Sequence, residues 1–329
     1  MIVARAPLRI SFVGGGTDLP VFAQNHGGAV VSGAINKYVY VCLNTRFEEG
    51  IRIAYRITEE CTTVAEVQHD LVRVAMERAD ITKRVEIATI GDVPGRGTGL
   101  GSSAALLVAL LLALYRVRGR RIGEIGLARA SFDLERDKLG LPVGAQDHYA
   151  AAFGGLNFIE FPPGAYAPRI ERIRLSPPKL IELRAHLLLL WTGRSRPSAP
   201  ILSEMEARAG KDLGVHHNMI QMKRLALELA AELKKGNIQA LGAALSENWE
   251  RKRELSPGIT TPEIDAWYAN ALSAGAAGGK LLGAGGGGFL LFFAPPSAHM
   301  RIARATGLRV VPFQMPVRGA EIVFDGRAA

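Results

Sequence analysis

Residues 94–105 combine the residue types that a phosphate-binding loop needs. They read Pro-Gly-Arg-Gly-Thr-Gly-Leu-Gly-Ser-Ser-Ala-Ala and lead into an apolar run, Leu106 to Leu114, which predicts a helix. Glycine lets the backbone approach a ligand closely, and a helix start carries unpaired N–H groups and partial positive charge. Ser102 or Ser103 is the expected helix cap. Because Val85 to Ile90 predicts a strand just upstream, this stretch predicts a cradle for nucleotide phosphates.

Two common phosphate-binding motifs are absent from this loop. A Walker A motif ends in Gly-Lys-Ser or Gly-Lys-Thr, and neither tripeptide occurs in the chain. The dinucleotide pattern G-x-G-x-x-G also fails, because Leu100 stands where the third glycine after Gly95 and Gly97 should be. A plain glycine-rich turn before a core helix is the alternative interpretation.

A second glycine loop lies in the last third of the chain. Residues 278–288 read Gly-Gly-Lys-Leu-Leu-Gly-Ala-Gly-Gly-Gly-Gly and precede an apolar run, Phe289 to Phe293, that predicts a buried strand. Ordering so many glycines costs conformational entropy. The loop is therefore expected where the backbone must come close to a ligand or to another segment.

Both loops resemble motifs of the GHMP small-molecule kinases. The first is similar to the family's Pro-x-x-x-Gly-Leu-Gly-Ser-Ser-Ala motif from Pro94 through Ala104, and the second to its Gly-Ala-Gly-x-Gly-Gly motif. The N-terminal run from Arg5 to Pro20 resembles the first motif of the branch that contains heptose-phosphate and related sugar kinases. Galactokinases have histidine where this chain has Gly16, so different contacts with the sugar are expected. The positions shared with galactokinases are Pro7, Arg9, Gly15, Thr17 and Asp18.

The resemblance implies ATP as phosphate donor and assigns site residues. Asp147, in Gly-Ala-Gln-Asp, matches the carboxylate beside the reacting hydroxyl, either as a base or as a positioning group, and Arg9 matches a residue near the transferred phosphoryl group. Glu135 and Ser103, with Ser102 as the alternate, match the ligands of Mg²⁺. A surface pair with a nearby basic residue is the alternative role of Glu135. The implied nucleotide-binding residues are Pro94, Gly95, Gly97, Thr98, Gly99, Leu100, Gly101, Ser102, Ser103 and Ala104.

Two groups of residues are expected to bind the acceptor. Asp18 either caps the following helix or holds a substrate hydroxyl. Arg194 and Arg196 follow an apolar strand, and with Lys280 they suit an anionic substrate such as a sugar phosphate; surface salt bridges are the alternative. The remaining substrate-binding candidates are Gly15, Gly16, Thr17, Gly285 and Gly286.

The composition bounds the class of protein. The chain has 329 residues, is 48% hydrophobic and 22% charged, and carries a formal net charge of +9, which is typical of a globular protein with a sizeable core. Two cysteines match neither a disulfide framework nor a zinc pattern, so a cytoplasmic location is expected. No signal peptide or membrane span is expected. The basic residues are scattered, without the aromatic-rich strand typical of RNA-binding modules, so no nucleic-acid partner is expected.

Periodicity predicts the elements that position these residues. Short strands are predicted on both sides of Pro7, and single helices over Thr63 to Ala79, Ile122 to Lys138 and Leu213 to Trp249. A strand is predicted over Arg309 to Val317. Prolines at 162–163 and 177–178 bracket a predicted domain boundary, placed after residue 175.

The resemblance implies an α+β fold of two domains. Residues 1–175 would form a domain of the ribosomal protein S5 type, and residues 176–329 a ferredoxin-like domain. The implied reaction is transfer of the ATP γ-phosphate, with Mg²⁺, to the anomeric O1 of a sugar phosphate, D-glycero-α-D-manno-heptose 7-phosphate in the branch that matches best. Another sugar 1-kinase of the fucokinase or galactokinase type, and a non-catalytic nucleotide or sugar sensor, are the alternatives. A homodimer is left open.

Overall fold

The computed structural model describes residues 1–95, 97–164 and 167–327, and its strands form two sheets. Two long strands, β1 and β2, pair antiparallel from Ile2 opposite Leu43 to Val13 opposite Val31. The strands, in chain order, are β1 (Ile2–Val13), β2 (Gly28–Thr45), β3 (Ile51–Ala54), β4 (Thr58–Cys61), β5 (Val85–Gly91), β6 (Leu156–Phe161), β7 (Arg169–Arg172), β8 (Leu187–Trp191), β9 (Gly278–Leu281), β10 (Phe289–Phe293), β11 (Arg309–Val310) and β12 (Glu321–Asp325).

The first sheet has the strand order β12-β1-β2-β5-β3-β4, with β6 paired along the first part of β2 and β7 paired with β6. Strands β3 and β5 of this sheet run parallel, whereas its other strand pairs among the described residues are antiparallel. The second sheet has the antiparallel order β11-β8-β10-β9. One mixed and one antiparallel sheet, both packed against helices, confirm the predicted α+β class.

The helices are α1 (Pro20–His26), α2 (Asp70–Ala79), α3 (Ser102–Val117), α4 (Glu124–Asp133), α5 (Gln146–Phe153), α6 (Pro177–His186), α7 (Ala199–Ala209), α8 (Leu213–Lys234), α9 (Ala240–Arg253), α10 (Pro262–Ser273) and α11 (His299–Thr306). A π-helical segment, Leu134–Lys138, directly continues α4. Among the described residues, no helix combines the length and hydrophobicity needed to cross a bilayer.

Helix α3 lies at the centre of the larger core. Its side chains are apolar around most of its circumference, and Leu107, Leu110, Leu111 and Leu114 are fully buried against β1, β2 and neighbouring helices. An all-round apolar helix is stable only when it is covered on all sides. Burying α3 in this way fixes the position of its first turn, which follows the first glycine loop.

The structure differs from the predicted elements where local chemistry interrupts a pattern. The strand around Pro7 does not break: β1 continues, and its pairing shifts register between Pro7 and Leu8, a position that tolerates a residue without an N–H. The helix predicted from Leu213 ends at Lys234 because Gly236 adopts a left-handed conformation, with φ of 82°. The strand predicted from Arg309 stops at Val310, since Pro312 cannot donate to a ladder.

Two further predictions concern boundaries. Residues 63–79 form a short turn, Val64–Glu66, and then α2, because Val67 is extended between them. The domain boundary after residue 175 stays a prediction. The last strand, β12, pairs with β1, so the C-terminal residues lie in the same sheet as the N-terminus.

Candidate active site

The two glycine loops meet beside a cavity of about 380 Å³. Residues of the turn after β1, of the first glycine loop, of the start of α5 and of the second glycine loop line it. These segments are far apart in the chain and come together at this cavity.

The glycine loops contact each other backbone against backbone at Gly99 and Gly283. A methyl group on Gly99 would lie 2.4 Å from the carbonyl oxygen of Leu282, and one on Gly283 would lie 2.2 Å from the Cα of Gly99. Gly99 also has a φ of 80°, which favours glycine. No side chain fits at this contact, so the two loops hold each other at a fixed separation.

The N-terminus of α3 is open toward the cavity. The helix starts at Ser102, after Gly101, and no side chain of the described residues caps it, contrary to the predicted serine cap. The Ser102 hydroxyl instead lies 3.3 Å from the Thr98 hydroxyl. With no acidic residue in the first turn, the helix start keeps its partial positive charge and free N–H groups for an anion.

Arg9 and Asp147 form a two-pronged ion pair in the cavity wall. The Arg9 Nε donates to Asp147 Oδ1 at 2.6 Å and its Nη2 to Oδ2 at 2.7 Å. The remaining nitrogen, Nη1, donates to the Gly99 carbonyl at 2.7 Å. Parallel charge-assisted bonds of this kind fix both groups in orientation. The pair ties β1, α5 and the first glycine loop together.

Asp18 is a second carboxylate at the cavity and is buried. It accepts hydrogen bonds from the Gly16 N–H at 2.9 Å, and from the Gln146 N–H and side-chain Nε2 at 3.0 and 2.9 Å. Burial raises the pKa of Asp18, and the charge of Asp147 adds to the rise, while the backbone hydrogen bonds oppose it. Asp18 does not cap α1, whose preceding residue is Leu19. Its carboxylate is therefore oriented toward α5 and the cavity.

Two family models match this chain. Residues 62–155 match the GHMP kinases N terminal domain and residues 229–306 the GHMP kinases C terminal, together just over half of its length. The chain belongs to the GHMP kinase family. GHMP kinases use ATP as phosphate donor, and this protein is an enzyme of the sugar-kinase type, a phosphotransferase with an alcohol group as acceptor. The family membership that the sequence motifs predict is confirmed.

Known relatives resemble the GHMP kinase over most of its length. It is 29% identical over 303 residues to the D-glycero-alpha-D-manno-heptose 7-phosphate kinase of Campylobacter jejuni, covering 86% of each chain. It is 26% identical over 286 residues to the bifunctional fucokinase/GDP-fucose pyrophosphorylase of Arabidopsis thaliana, of which it spans 27%. The crystal structure of a D-glycero-D-manno-heptose 1-phosphate kinase from Bacteroides thetaiotaomicron superposes with a TM-score of 0.80 at 26% identity, covering 99% of both chains.

Glu135 and Ser103, the predicted Mg²⁺ ligands, both line the cavity of the GHMP kinase. Glu135 lies in the π-helical segment, is buried, and its Oε2 lies 2.8 Å from His148 Nε2. The described residues contain no group of three or more His, Cys, Asp or Glu that could hold a metal alone. One carboxylate and one hydroxyl suit Mg²⁺, which keeps waters and takes further oxygens from phosphates. These two protein ligands therefore fit a Mg²⁺ ion that enters the site bound to the nucleotide.

Most of the predicted site residues lie at the cavity. Of the nucleotide-binding set, Gly95, Gly97, Thr98, Gly99, Gly101, Ser102, Ser103 and Ala104 line it, as do Gly15, Gly16, Asp18, Arg196 and Gly285 of the substrate-binding set. Four others, Thr17, Leu100, Pro94 and Gly286, are not among the described residues that line it. Thr17 is buried and hydrogen-bonds to Gly14 and Ala29, and Leu100 is buried and its carbonyl accepts from the Arg9 N–H.

Two of the three predicted anion-binding cations lie elsewhere. Lys280 is buried in β9, and its Nζ donates to the Phe12 carbonyl at 2.9 Å. Burial, with the charges of Lys252 and Arg9, lowers the pKa of Lys280 well below its usual value. Arg194 is exposed and pairs with Glu263 at 3.3 Å. Within the described part of the chain, neither lines the cavity, so the predicted contact of Lys280 and Arg194 with substrate is corrected; Arg196 alone of the three reaches it.

Three residues at the site were missed by the sequence analysis. Gln146 holds Asp18, and His148 contacts Glu135. Lys252, near the end of α9, lines the cavity and donates to the Gly283 carbonyl. In the sequence Lys252 is the middle of Arg-Lys-Arg, a run that is typical of a solvated helix end, and no pattern distinguishes it from its neighbours.

Proposed function

We propose that this kinase transfers the γ-phosphate of ATP to the anomeric O1 of a sugar phosphate, D-glycero-α-D-manno-heptose 7-phosphate, to give the 1,7-bisphosphate. In this step the bond from Pγ to the ADP oxygen breaks, the bond from Pγ to O1 forms, and the proton of the O1 hydroxyl passes late, through the Asp147 carboxylate, to solvent. The observation that carries the proposal is the Arg9–Asp147 pair beside the open N-terminus of α3. A carboxylate that can accept a hydrogen bond from a hydroxyl group then lies next to a helix N-terminus that can bind phosphate groups.

Asp147 and Arg9 have complementary tasks in this reaction. The carboxylate accepts a hydrogen bond from the O1 hydroxyl and orients its lone pair toward Pγ. Because two of its acceptor positions are already engaged by Arg9, we assign Asp147 a positioning role, with the proton leaving late in a loose transition state. The Arg9 guanidinium keeps a permanent positive charge beside the transferred group.

Glu135 and Ser103, which both line the cavity, would hold Mg²⁺. When bound there, the ion supplies charge neutralisation on the phosphate oxygens. The buried His148 fixes the Glu135 carboxylate through their 2.8 Å contact. Asp18, held by three hydrogen bonds, is the group that we assign to a ring hydroxyl of the sugar.

The acceptor's own phosphate needs a cation at the cavity, and Arg196 supports this part of the proposal. Arg196 lines the cavity, its guanidinium donates to the Gly258 carbonyl at 3.4 Å, and its backbone N–H donates to the Gly97 carbonyl at 3.3 Å, which fixes it beside the first glycine loop. The two heptose-phosphate kinases among the relatives favour the same substrate class. The fucokinase relative favours a second candidate, a neutral sugar such as L-fucose. We place the reaction in the cytoplasm, where ATP is abundant and Cys42 and Cys61 stay reduced.

An ADP-release assay tests the proposed substrate. The purified chain is incubated with ATP, Mg²⁺ and one acceptor at a time: heptose 7-phosphate, the unphosphorylated heptose, L-fucose or D-galactose. We expect turnover with heptose 7-phosphate at the lowest KM. Faster turnover with L-fucose would support the second candidate, and ADP release with none of the four would contradict the proposal.

A further inference from the structure

Lys252 is a buried cation whose side chain ends at the cavity. It lies one residue before the end of α9, a helix that packs against β9, β10 and β1. The residue is 5% exposed, and its Nζ donates to the Gly283 carbonyl of the second glycine loop. Gly283 in turn contacts Gly99 of the first loop. The ammonium therefore lies where both loops meet the Arg9–Asp147 pair.

The ammonium of Lys252 has hydrogen-bonding capacity left over. It carries three N–H donors, and the Gly283 carbonyl is its acceptor among the described residues. A buried ammonium with unused donors is costly unless a ligand takes them. Because the group lines the cavity, an anion bound there would be that ligand.

The charges around Lys252 favour the same conclusion. Arg9 faces it from β1 and Lys280 from β9, while Asp18 and Asp147 face it from the turn after β1 and from α5. Burial and the charge of Arg9 lower the pKa of Lys252 to about 8, although the two carboxylates oppose the change. The group is therefore mostly charged at pH 7 and poorly solvated, and a phosphate oxygen would stabilise it.

We propose that Lys252 is a catalytic residue that donates hydrogen bonds to the phosphoryl group during its transfer. The first glycine loop contains no lysine, so the charge that a Walker A lysine supplies elsewhere must come from another segment. Lys252 supplies it from α9, keeps its proton throughout, and acts on the Pγ oxygens while the Pγ–O bond to ADP breaks. The proposal rests on the phosphoryl transfer proposed above, but on no particular acceptor.

Lys280 offers a matched control, since it is also a buried lysine bonded to a backbone carbonyl but does not line the cavity. A role that is only structural would make Lys252→Met and Lys280→Met behave alike. Both variants are expected to lower the melting temperature. Only Lys252→Met is expected to weaken binding of a mimic of the transferred phosphoryl group.

Binding of ADP with and without aluminium fluoride, in the presence of Mg²⁺, tests the proposal without any acceptor. Calorimetry gives the factor by which the fluoride tightens ADP binding. We expect Lys252→Met to reduce this tightening factor about 100-fold and to bind ADP alone with unchanged affinity. Lys280→Met is expected to keep the full tightening factor. Retention of the full factor by Lys252→Met would overturn the role of Lys252. That outcome is separate from a failure of the sugar assay, which concerns the acceptor alone.

Discussion

A single guanidinium, that of Arg9, holds the Asp147 carboxylate at 2.6 and 2.7 Å and the Gly99 carbonyl at 2.7 Å. One side chain therefore sets the distance between the group assigned to the acceptor hydroxyl and the loop assigned to the ATP phosphates. Correct geometry of two reactants is worth several orders of magnitude in rate. Arg9 is thus the residue through which the fold aligns the two substrates.

Removal of the Asp147 charge tests its role in the reaction. We expect Asp147→Asn to lower kcat by about 100- to 10,000-fold. ATP affinity should change little, because the nucleotide is assigned to the first glycine loop and the start of α3 rather than to Asp147. Steady-state kinetics and nucleotide titration measure the two effects, and circular dichroism checks the fold. Near-normal turnover by this variant would contradict the role.

The contact between the glycine loops predicts that substitutions at Gly99 and at Gly95 affect ATP binding very differently. Gly99→Val should abolish ATP binding, because its Cβ would lie 2.4 Å from the Leu282 carbonyl oxygen at a φ of 80°. Gly95→Ala is the control, since no atom of the described residues other than its chain neighbours lies within 4 Å of a Cβ at that position. Fluorescence titration with an ATP analogue compares them. Equal affinities would show that the loop is not the cradle.

Arg196 and Arg194 form a matched pair for the anion site. We expect Arg196→Ala to raise KM for a sugar phosphate by about tenfold, equivalent to ~1.4 kcal/mol, and to leave KM for a neutral sugar nearly unchanged. Arg194→Ala should change neither value, because Arg194 is exposed and pairs with Glu263. The same shift for phosphorylated and neutral sugars would remove Arg196 from the acceptor site.

Glu135→Gln tests the predicted Mg²⁺ ligand. The amide has nearly the same shape but lacks the charge, so we expect the Mg²⁺ concentration for half-maximal activity to rise about tenfold or more. Binding of metal-free ATP should be unaffected. Titration of activity and of nucleotide affinity with Mg²⁺ separates the two. An unchanged Mg²⁺ requirement would assign Glu135 a structural role with His148.

The lowered pKa of Lys252 predicts a pH profile. A lysine that loses its proton near pH 8 is charged below that pH and neutral above it, so kcat/KM should be high below pH 8 and fall as the pH rises through about 8. Lys252→Arg keeps its charge, so its residual activity should show no such fall. The charges that modulate this titration are Arg9, Asp18, Asp147 and Lys280. Identical profiles for the two proteins would contradict the prediction.

The sequence was sufficient for residues that lie in contiguous motifs. Gly99, Arg9 and Asp147 each stand in a short local pattern, and the structure brings all three together. Local patterns carry this information because glycine permits the left-handed backbone, such as the φ of 80° at Gly99, that this loop adopts before the buried helix. The roles of these residues stay proposals until they are tested.

The sequence could not predict the position of residues whose placement depends on the packing of distant segments. Lys280 lies in β9, a strand buried on both faces, so alternation could not show whether its side chain points to the cavity or to the core. Lys252 reaches the cavity because α9 packs on β9 and on β1, and β1 lies more than 200 positions before α9 in the chain. No single-sequence pattern records such a contact.

Phosphorus NMR of the reaction product tests the central claim most directly. After incubation with ATP, Mg²⁺ and heptose 7-phosphate, the account predicts a new phosphate signal coupled to the anomeric proton, which appears as ADP forms and is lost with Asp147→Asn. A new phosphate coupled to any other sugar proton, or ADP without a new sugar phosphate, would contradict it.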